Sequence, residues 1–195
     1  MRPQLKREPL DGRQLTTLRR ACMHFTRFLI ALASLTVAAC LSCSRPRVAE
    51  ETLFHNPVSD LTGVIAQDGV EFDAQTTSDG TGSLKINTAK PVTVRLYEVA
   101  GVDAEDAQLV YRAKIRTDGV QGQVYLEMWC RFPGKGEFFS RALHAPLTGS
   151  TEWTSQETSF LLEKGQNPDH IALNIVVNGS GAVWVDDVAL VKAAR

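Results

Sequence analysis

Short runs rich in Val, Ile, Leu, Phe and Tyr fill the chain from Gly69 to its end, and several of them alternate cleanly between apolar and polar residues. Nine runs are candidate strands, in the order GVEFDA, GSLKIN, VTVRLYEV, QLVYRAKIRT, QVYLEMWCRF, EFFSRAL, QETSFLLE, HIALNIVVNG and AVWVDDVALV. Turn-forming segments such as SDGTG, FPGKG and NGSG separate many of them. A period of two predicts β-strands with one buried and one solvated face. We therefore predict an all-β protein, a single antiparallel β-sandwich of the jelly-roll kind.

The run VYLEMWCRF has a buried face and a face with unusual chemistry. The buried face is predicted to hold the apolar residues Val124, Leu126, Met128 and Cys130. The opposite face holds two aromatic rings, a carboxylate and a guanidinium, on Tyr125, Glu127, Trp129 and Arg131. A strand that exposes this set is suited to binding a ligand.

The run VTVRLYEV extends this surface if the two strands share a sheet. Its alternation predicts that Val92, Val94 and Leu96 are buried and that Arg95 and Tyr97 are exposed. Aromatic rings stack on the C–H faces of sugars, and charged groups bond sugar hydroxyls directionally. The candidate carbohydrate-binding residues are therefore Tyr125, Glu127, Trp129, Arg131, Arg95 and Tyr97. The same residues also fit an ordinary solvated face, on which Arg95 or Arg131 pairs with Glu127 across strands.

The first forty residues have the features of an export signal. A basic segment precedes the apolar run from Phe28 to Ala39, which is shorter than a membrane-spanning helix. The sequence Val37-Ala38-Ala39-Cys40 resembles a bacterial lipobox, in which the cysteine becomes the lipid-bearing N-terminus; an ordinary signal peptide is the alternative. We predict a signal peptide over 1–39, a lipidated Cys40 with its tether over 40–52, and a β-sandwich domain over 53–195. Because Leu41 follows the cysteine, the resemblance implies the outer membrane in a Gram-negative host.

Charge and cysteine usage narrow the possible partners. The sequence has 21 Lys and Arg against 22 Asp and Glu, and seven of those cations but two of those anions precede Cys40. The rest carries a net charge of −6, which argues against nucleic acid as the main partner. Cys22, Cys40 and Cys43 lie in the leader and tether, whereas Cys130 lies on an apolar strand face. We predict a buried thiol and no internal disulfide framework.

Four segments carry a family resemblance. SDGTGSLKI, YRAKIRT, EWTSQETSFLL and GAVWVDDVALV, in this order, resemble the galactose-binding-like β-sandwich modules that bind carbohydrate beside many bacterial glycosidases. The resemblance covers nearly all of Glu51 to Arg195 and implies the same sandwich fold. It implies carbohydrate binding less specifically, because ligand-contacting residues vary among these modules and none can be transferred by motif.

The resemblance also implies a structural calcium ion. In the resembled modules the closing strand supplies a carboxylate to the metal, and Asp186 is the matching position. Its alternation places it with Trp184 on a face that we expect to point inward. Calcium takes several oxygen ligands, and the early segment EFDAQTTSDGTG offers Glu71, Asp73 and Asp79 as partners. A hydrogen-bonded structural aspartate is the alternative.

These observations favour a lipid-anchored cell-envelope module that binds a glycan or envelope polysaccharide without catalysis. A first alternative is a structural module that binds another envelope protein through the same face. A second is a small carbohydrate-active hydrolase or lyase. The sequence lacks the H-E-x-x-H, G-x-S-x-G and G-x-x-x-x-G-K-[ST] motifs, and no pair of carboxylates suited to glycoside hydrolysis can be identified from it.

Overall fold

The computed structural model describes residues 50–195, which form eight strands and no helix. The strands are β1 (Glu50–Asn56), β2 (Val70–Asp73), β3 (Ser83–Thr88), β4 (Val92–Ala100), β5 (Gln108–Phe132), β6 (Gly136–Arg141), β7 (Leu147–Leu161) and β8 (His170–Ala193). All pairings are antiparallel, as predicted. Among these residues, no helix has the length and apolarity that crossing a membrane requires.

The two longest strands organise the fold. β5 and β8 pair from Gln108 opposite Ala193 to Arg131 opposite His170, so each runs through both layers of the sandwich. In one layer, the first half of β8 pairs with β4 and the second half of β5 pairs with β6. In the other layer, the second half of β8 pairs with β1 and β3, and the first half of β5 pairs with β7. The resulting structure is an antiparallel β-sandwich, as the sequence predicts.

Glycines allow the two long strands to pass together from one layer to the other. A register shift lies between Asp118 and Gln121 of β5, opposite Gly181 of β8, and Gly122 pairs with Gly179 directly after it. A Cβ atom at Gly179 would lie 1.8 Å from the carbonyl oxygen of Gln121, and one at Gly122 would lie 2.1 Å from that of Asn178. The backbones approach too closely here for any side chain, so glycine is required at both positions.

The core lies between the layers and confirms the main phase prediction. Val124, Leu126, Met128 and Cys130 have no exposed surface. Their counterparts on β8, which are Ile171, Leu173, Ile175 and Val177, are equally buried. Cys130 is a free thiol, and burial raises its pKa to about 12. The described residues enclose one contiguous core of their own, so we expect them to fold without the leader.

The element boundaries differ from the prediction in two ways. β1 begins at Glu50, so three residues assigned to the tether belong to the first strand, and this strand was not predicted at all. The predicted strands QLVYRAKIRT and QVYLEMWCRF form one continuous strand, β5, and HIALNIVVNG and AVWVDDVALV form one continuous strand, β8. The segments after Thr117 and Asn178 were predicted as turns, but they pair with each other as part of these two strands. The predicted signal peptide, 1–39, and residues 40–49 of the predicted tether lie outside the described residues.

Candidate ligand-binding face

The outer surface of the β4–β8–β5–β6 layer carries most of the predicted site. Glu127 lies opposite Asn174 on β8 and Arg141 on β6, and Trp129 lies opposite Ala172 and Phe139. Because paired residues of an antiparallel sheet project to the same side, these residues share one surface. We call this surface the binding face and define it by Glu127, Trp129, Phe139, Arg141 and Asn174.

A buried carboxylate lies at the centre of the binding face. The Glu127 side chain is 5% exposed, and its Oε1 accepts hydrogen bonds from Trp129 Nε1 at 2.7 Å and Asn174 Nδ2 at 3.1 Å. Its Oε2 accepts a hydrogen bond from Arg141 Nε at 2.6 Å. Three donors from three strands therefore converge on one carboxylate, which fixes the side chains around it.

These contacts keep Glu127 ionised. Burial alone would raise the pKa of its carboxyl group. The hydrogen bonds from Trp129, Arg141 and Asn174, together with the charge of Arg141, outweigh burial and lower the pKa below its usual value. Glu127 is thus a fixed negative charge that orients its neighbours.

An aromatic pair borders this carboxylate. The rings of Trp129 and Phe139 lie 4.9 Å apart between centroids, and the Arg141 guanidinium lies 4.4 Å from the centre of the Phe139 ring. Trp129 is partly exposed and Phe139 is 49% exposed. The indole and phenyl rings therefore offer an accessible apolar surface beside groups that can donate and accept hydrogen bonds.

Ion pairs flank the aromatic centre. Arg131 Nε donates to Asp169 Oδ1 at 2.9 Å. Arg95 Nη1 donates to Glu98 Oε1 at 2.9 Å, and His170 Nε2 lies 3.3 Å from the other oxygen of Glu98. The alternative pairing of Arg95 or Arg131 with Glu127 is not formed, because Arg141 holds this carboxylate.

Two predicted site residues contribute less than expected. Tyr97 was predicted on the exposed face, but it is 2% exposed and packs against Phe54 with ring centroids 5.0 Å apart. A bulge between Arg95 and Tyr97 shifts the register of β4 by one residue, so Tyr97 turns into the core while Arg95 stays outside. Tyr125 lies on the predicted side of β5 but is only 8% exposed.

Sequence reasoning missed three members of the binding face. Phe139 and Arg141 occupy the strand after the FPGKG turn, and the register of that hairpin places them beside Trp129 and Glu127. The turn was recognised in the sequence, but its register was not used to match residues across it. Asn174 is the one polar residue within the apolar segment 171–177, and its bond to Glu127 explains why a polar residue occurs there.

Asp186 is fully buried and hydrogen-bonded to the backbone. Its Oδ2 accepts from Ser78 N at 2.8 Å, and its Oδ1 accepts from Asp187 N at 2.7 Å. Trp184 shares one side of β8 with Asp186, as predicted, but this side does not face the core, because the intervening Val185 is the core residue. The Trp184 ring is partly exposed and has Lys85 and Arg116 within 5.5 Å and 5.8 Å of its centre. Asp186 therefore ties the early loop to the last strand directly, through its own carboxylate.

The predicted calcium ligands do not form a cluster. Within residues 50–195, no three carboxylate, histidine or cysteine side chains come together as a metal site. Glu71 lies on β2 opposite Lys85, and Asp79 bonds the hydroxyl groups of Thr77 and Thr81. Asp73 accepts a hydrogen bond from Trp184 Nε1, which lowers the pKa of its carboxyl group to about 2. The residues present do not fit the three-carboxylate site that the sequence suggested.

Replacing Asp186 tests its structural role. Asp186→Asn puts an amide group where two backbone N–H groups need acceptors, so we expect the unfolding free energy to fall by about 1–3 kcal/mol. Urea denaturation with calcium and with EDTA measures this loss. We expect the same loss in both solutions, and Asp79→Asn is the matched control at an exposed aspartate of the same loop. If calcium stabilises the wild type but not Asp186→Asn, the protein instead binds a calcium ion through Asp186.

The described residues form an antiparallel β-sandwich whose fold is similar to that of several solved carbohydrate-binding modules. The structure resembles the CBM22-1 xylan-binding domain of Paenibacillus barcinonensis Xyn10C with a TM-score of 0.57 and 12% identity, over 76% of this chain and 98% of that one. It also resembles the xylan-binding domain from CBM 22 formerly named x6b, with a TM-score of 0.52 and 10% identity, over 77% and 99% of the two chains.

A third similar structure contains a bound glycan. It is the N-terminal CBM22-1–GH10 part of Clostridium thermocellum endo-1,4-β-D-xylanase 10B, solved with xylohexaose. The TM-score is 0.56 at 11% identity, over 75% of this chain and 29% of that one. No protein-family model and no curated protein matches the sequence. At these identities the likenesses establish the fold and leave the ligand to be argued from the binding face.

Proposed function

We propose that this protein is a lipid-anchored cell-envelope module that binds a neutral glycan through the binding face without catalysing a reaction. The observation that carries the proposal is the accessible Trp129–Phe139 pair held beside the buried Glu127 carboxylate. Apolar rings next to fixed polar groups suit a sugar, whose own surface alternates C–H faces and hydroxyl groups. The shared fold with xylan-binding domains supports the same class of ligand.

The pairing of charges favours a neutral ligand over an acidic one. Arg95, Arg131 and Arg141 are each bonded to a carboxylate, namely Glu98, Asp169 and Glu127. An anionic glycan would have to break one of these ion pairs to gain a cation, and it would then meet the released carboxylate. A neutral glycan needs no such exchange and can bond to the outward atoms of the existing pairs.

The same contacts favour binding over catalysis. A general acid for glycoside hydrolysis needs a raised pKa and access to the leaving oxygen. Glu127 has a lowered pKa and is buried beneath its three donors. Glu98 and Asp169 are committed to Arg95 and Arg131, and the pKa values of both carboxyl groups are also lowered. These groups are arranged to hold a surface rigid.

A glycan array with the fragment 44–195 tests the proposal, followed by calorimetry with each glycan that binds. We expect binding to neutral polysaccharides, with weaker binding to polyuronates and little dependence on salt, because no free cation of the binding face is used. Binding that weakens strongly with salt would contradict the neutral-ligand assignment. Binding to no glycan, together with capture of an envelope protein that Trp129→Ala abolishes, would favour the protein-interaction alternative.

The membrane anchor is the second part of the proposal, and it rests on the lipobox that ends at Cys40, outside the described residues. Two or more acyl chains hold a protein firmly on a membrane, whereas one binds marginally. We expect Cys40→Ser to leave an unprocessed precursor that incorporates no labelled fatty acid. Cys43→Ser is the matched control, three residues away, and should be labelled like the wild type. Undiminished labelling of Cys40→Ser would refute the anchor.

A further inference from the structure

A pocket lies behind β6, the edge strand of the layer that forms the binding face. It encloses about 340 Å³ between the β5–β6 turn, the end of β7 and the segment after it. Its apolar part consists of Phe132, Phe138, Phe160 and Leu161, and its polar part consists of Lys135, Glu163 and Gln166. This volume is in the range of small-molecule sites.

Phenyl rings form the apolar part of this pocket. Phe132 is 7% exposed and packs against Phe138 and Phe160, with ring centroids 5.8 Å and 6.1 Å away. Phe138 and Leu161 are about half exposed, at 49% and 55%. Covering large exposed apolar side chains with a ligand removes their surface from water, which favours binding.

The polar groups of the pocket are available and balanced in charge. Within residues 50–195, neither the Lys135 ammonium nor the Glu163 carboxylate forms an ion pair or a side-chain hydrogen bond. Gln166 uses its Oε1 to accept from Glu163 N at 2.9 Å, which leaves its Nε2 group as a donor. One cation, one anion and one amide offer donors and acceptors without favouring an ion of either sign.

The pocket is separate from the binding face. Phe138 and Phe139 are neighbours on β6, and successive side chains of a strand project to opposite sides. Phe139 stacks with Trp129 on the binding face, whereas Phe138 contacts Phe132 in the pocket. Strand β6 pairs with β5 alone in the sheet, so a single edge strand divides the two sites.

We propose that this pocket is a second saccharide-binding site, which takes the terminal one or two rings of a neutral glycan. The phenyl rings provide the apolar surface for the sugar rings, and Lys135, Glu163 and Gln166 provide directional bonds to hydroxyl groups. The volume of about 340 Å³ limits the occupant to a short end of a chain, whereas the binding face lies along the sheet surface and can accept the middle of a chain. This inference rests on the proposed function for its ligand class and adds a site of different geometry.

The test is amide NMR of the 44–195 fragment titrated with xylohexaose, cellohexaose and β-1,4-galactohexaose. We expect one group of shifts around Trp129 and a second around residues 132–138 and 160–166. Phe138→Ala should weaken the second group at least about tenfold, equal to about 1.4 kcal/mol, and leave the first unchanged. Phe139→Ala is the matched variant and should do the reverse. Glu163→Ala, which removes a side chain outside the core, should weaken the second group without affecting folding.

The outcomes separate this inference from the proposed function. Shifts confined to the surroundings of Trp129 would overturn the second site and leave the binding face standing. Shifts confined to the pocket would overturn the binding face and leave the second site standing. No shifts with any of the three glycans would overturn both.

Discussion

Trp129→Ala is expected to weaken glycan binding at the binding face by at least about tenfold, equal to about 1.4 kcal/mol, while changing the melting temperature little. The reason is geometric. Trp129 is partly exposed, stacks with Phe139 and is held in place by its bond to Glu127, so it presents a preorganised surface to a sugar ring. Calorimetric titration with the best glycan from the array measures the loss, and thermal unfolding measures stability.

Two variants sharpen this experiment. Trp129→Phe keeps an aromatic ring but lacks the N–H group that donates to Glu127, so we expect binding between that of the wild type and that of Trp129→Ala. Trp153→Ala is the matched control, because Trp153 is also partly exposed but lies on β7. Wild-type affinity in Trp129→Ala would remove Trp129 from the site. A collapse of the melting temperature in the same variant would assign the residue to the core.

The sequence predicted the faces of the strands wherever the alternation is uninterrupted. Val124 to Arg131 is such a stretch, and all four of its apolar positions are fully buried. Once the apolar face of a strand is identified as the buried one, a period of two assigns every other residue of the strand to the inside or the outside. The fold class follows from the same property, because several runs have one apolar and one more polar face.

Alternation fails where a single extra residue enters a strand. The bulge in β4 turns Tyr97 inward, and the bulge between Arg112 and Lys114 of β5 lies opposite Asp187, which has a φ of 51°. A bulge leaves little local signal, because the flanking residues keep their strand preference. The prediction for Tyr97, which depended on phase across the β4 bulge, was therefore wrong. The extra residue at Asp187 of β8 likewise separates Trp184 and Asp186 from the core side, to which Val188 and Leu190 belong, so the predicted inward direction of this pair was also wrong.

Tertiary pairing explains the rest of what the sequence did not provide. The carboxylate of Glu127 was recognised, but two of its three partners lie 14 and 47 residues away in the chain. The sequence shows these residues, but it does not show how the strands that carry them are paired. Similarly, the strand Glu50–Asn56 has a weak alternation of its own and is defined by its pairing with β8. Sites made of cross-strand contacts need the sheet order before their members can be matched.

Glu127→Ala is expected to lower the unfolding free energy by about 2–4 kcal/mol, the largest loss of stability among these variants. The substitution removes the acceptor for Trp129, Arg141 and Asn174 at once. Asn174 is 4% exposed, and its Oδ1 has no partner within the described residues, so its amide would be left buried and unpaired. Arg141 is about a third exposed and can turn to water, which keeps the loss below that for a fully buried ion pair. Urea denaturation measures the difference, and Glu137→Ala, an exposed carboxylate on β6, is the control.

The dependence of stability on pH distinguishes the charge of Glu127 from its size. Its folded pKa lies below the usual glutamate value of about 4.3, so its contribution is complete above that pH. The contribution is lost as the pH falls through the lowered folded pKa, because protonation removes the negative charge that the three donors stabilise. Glu127→Gln keeps the size of the side chain but cannot ionise. We therefore expect its stability difference from the wild type to be largest near neutral pH and to shrink as the solution is acidified below about pH 4. A difference that stays constant between neutral and acidic pH would show that shape rather than charge accounts for the effect of Glu127.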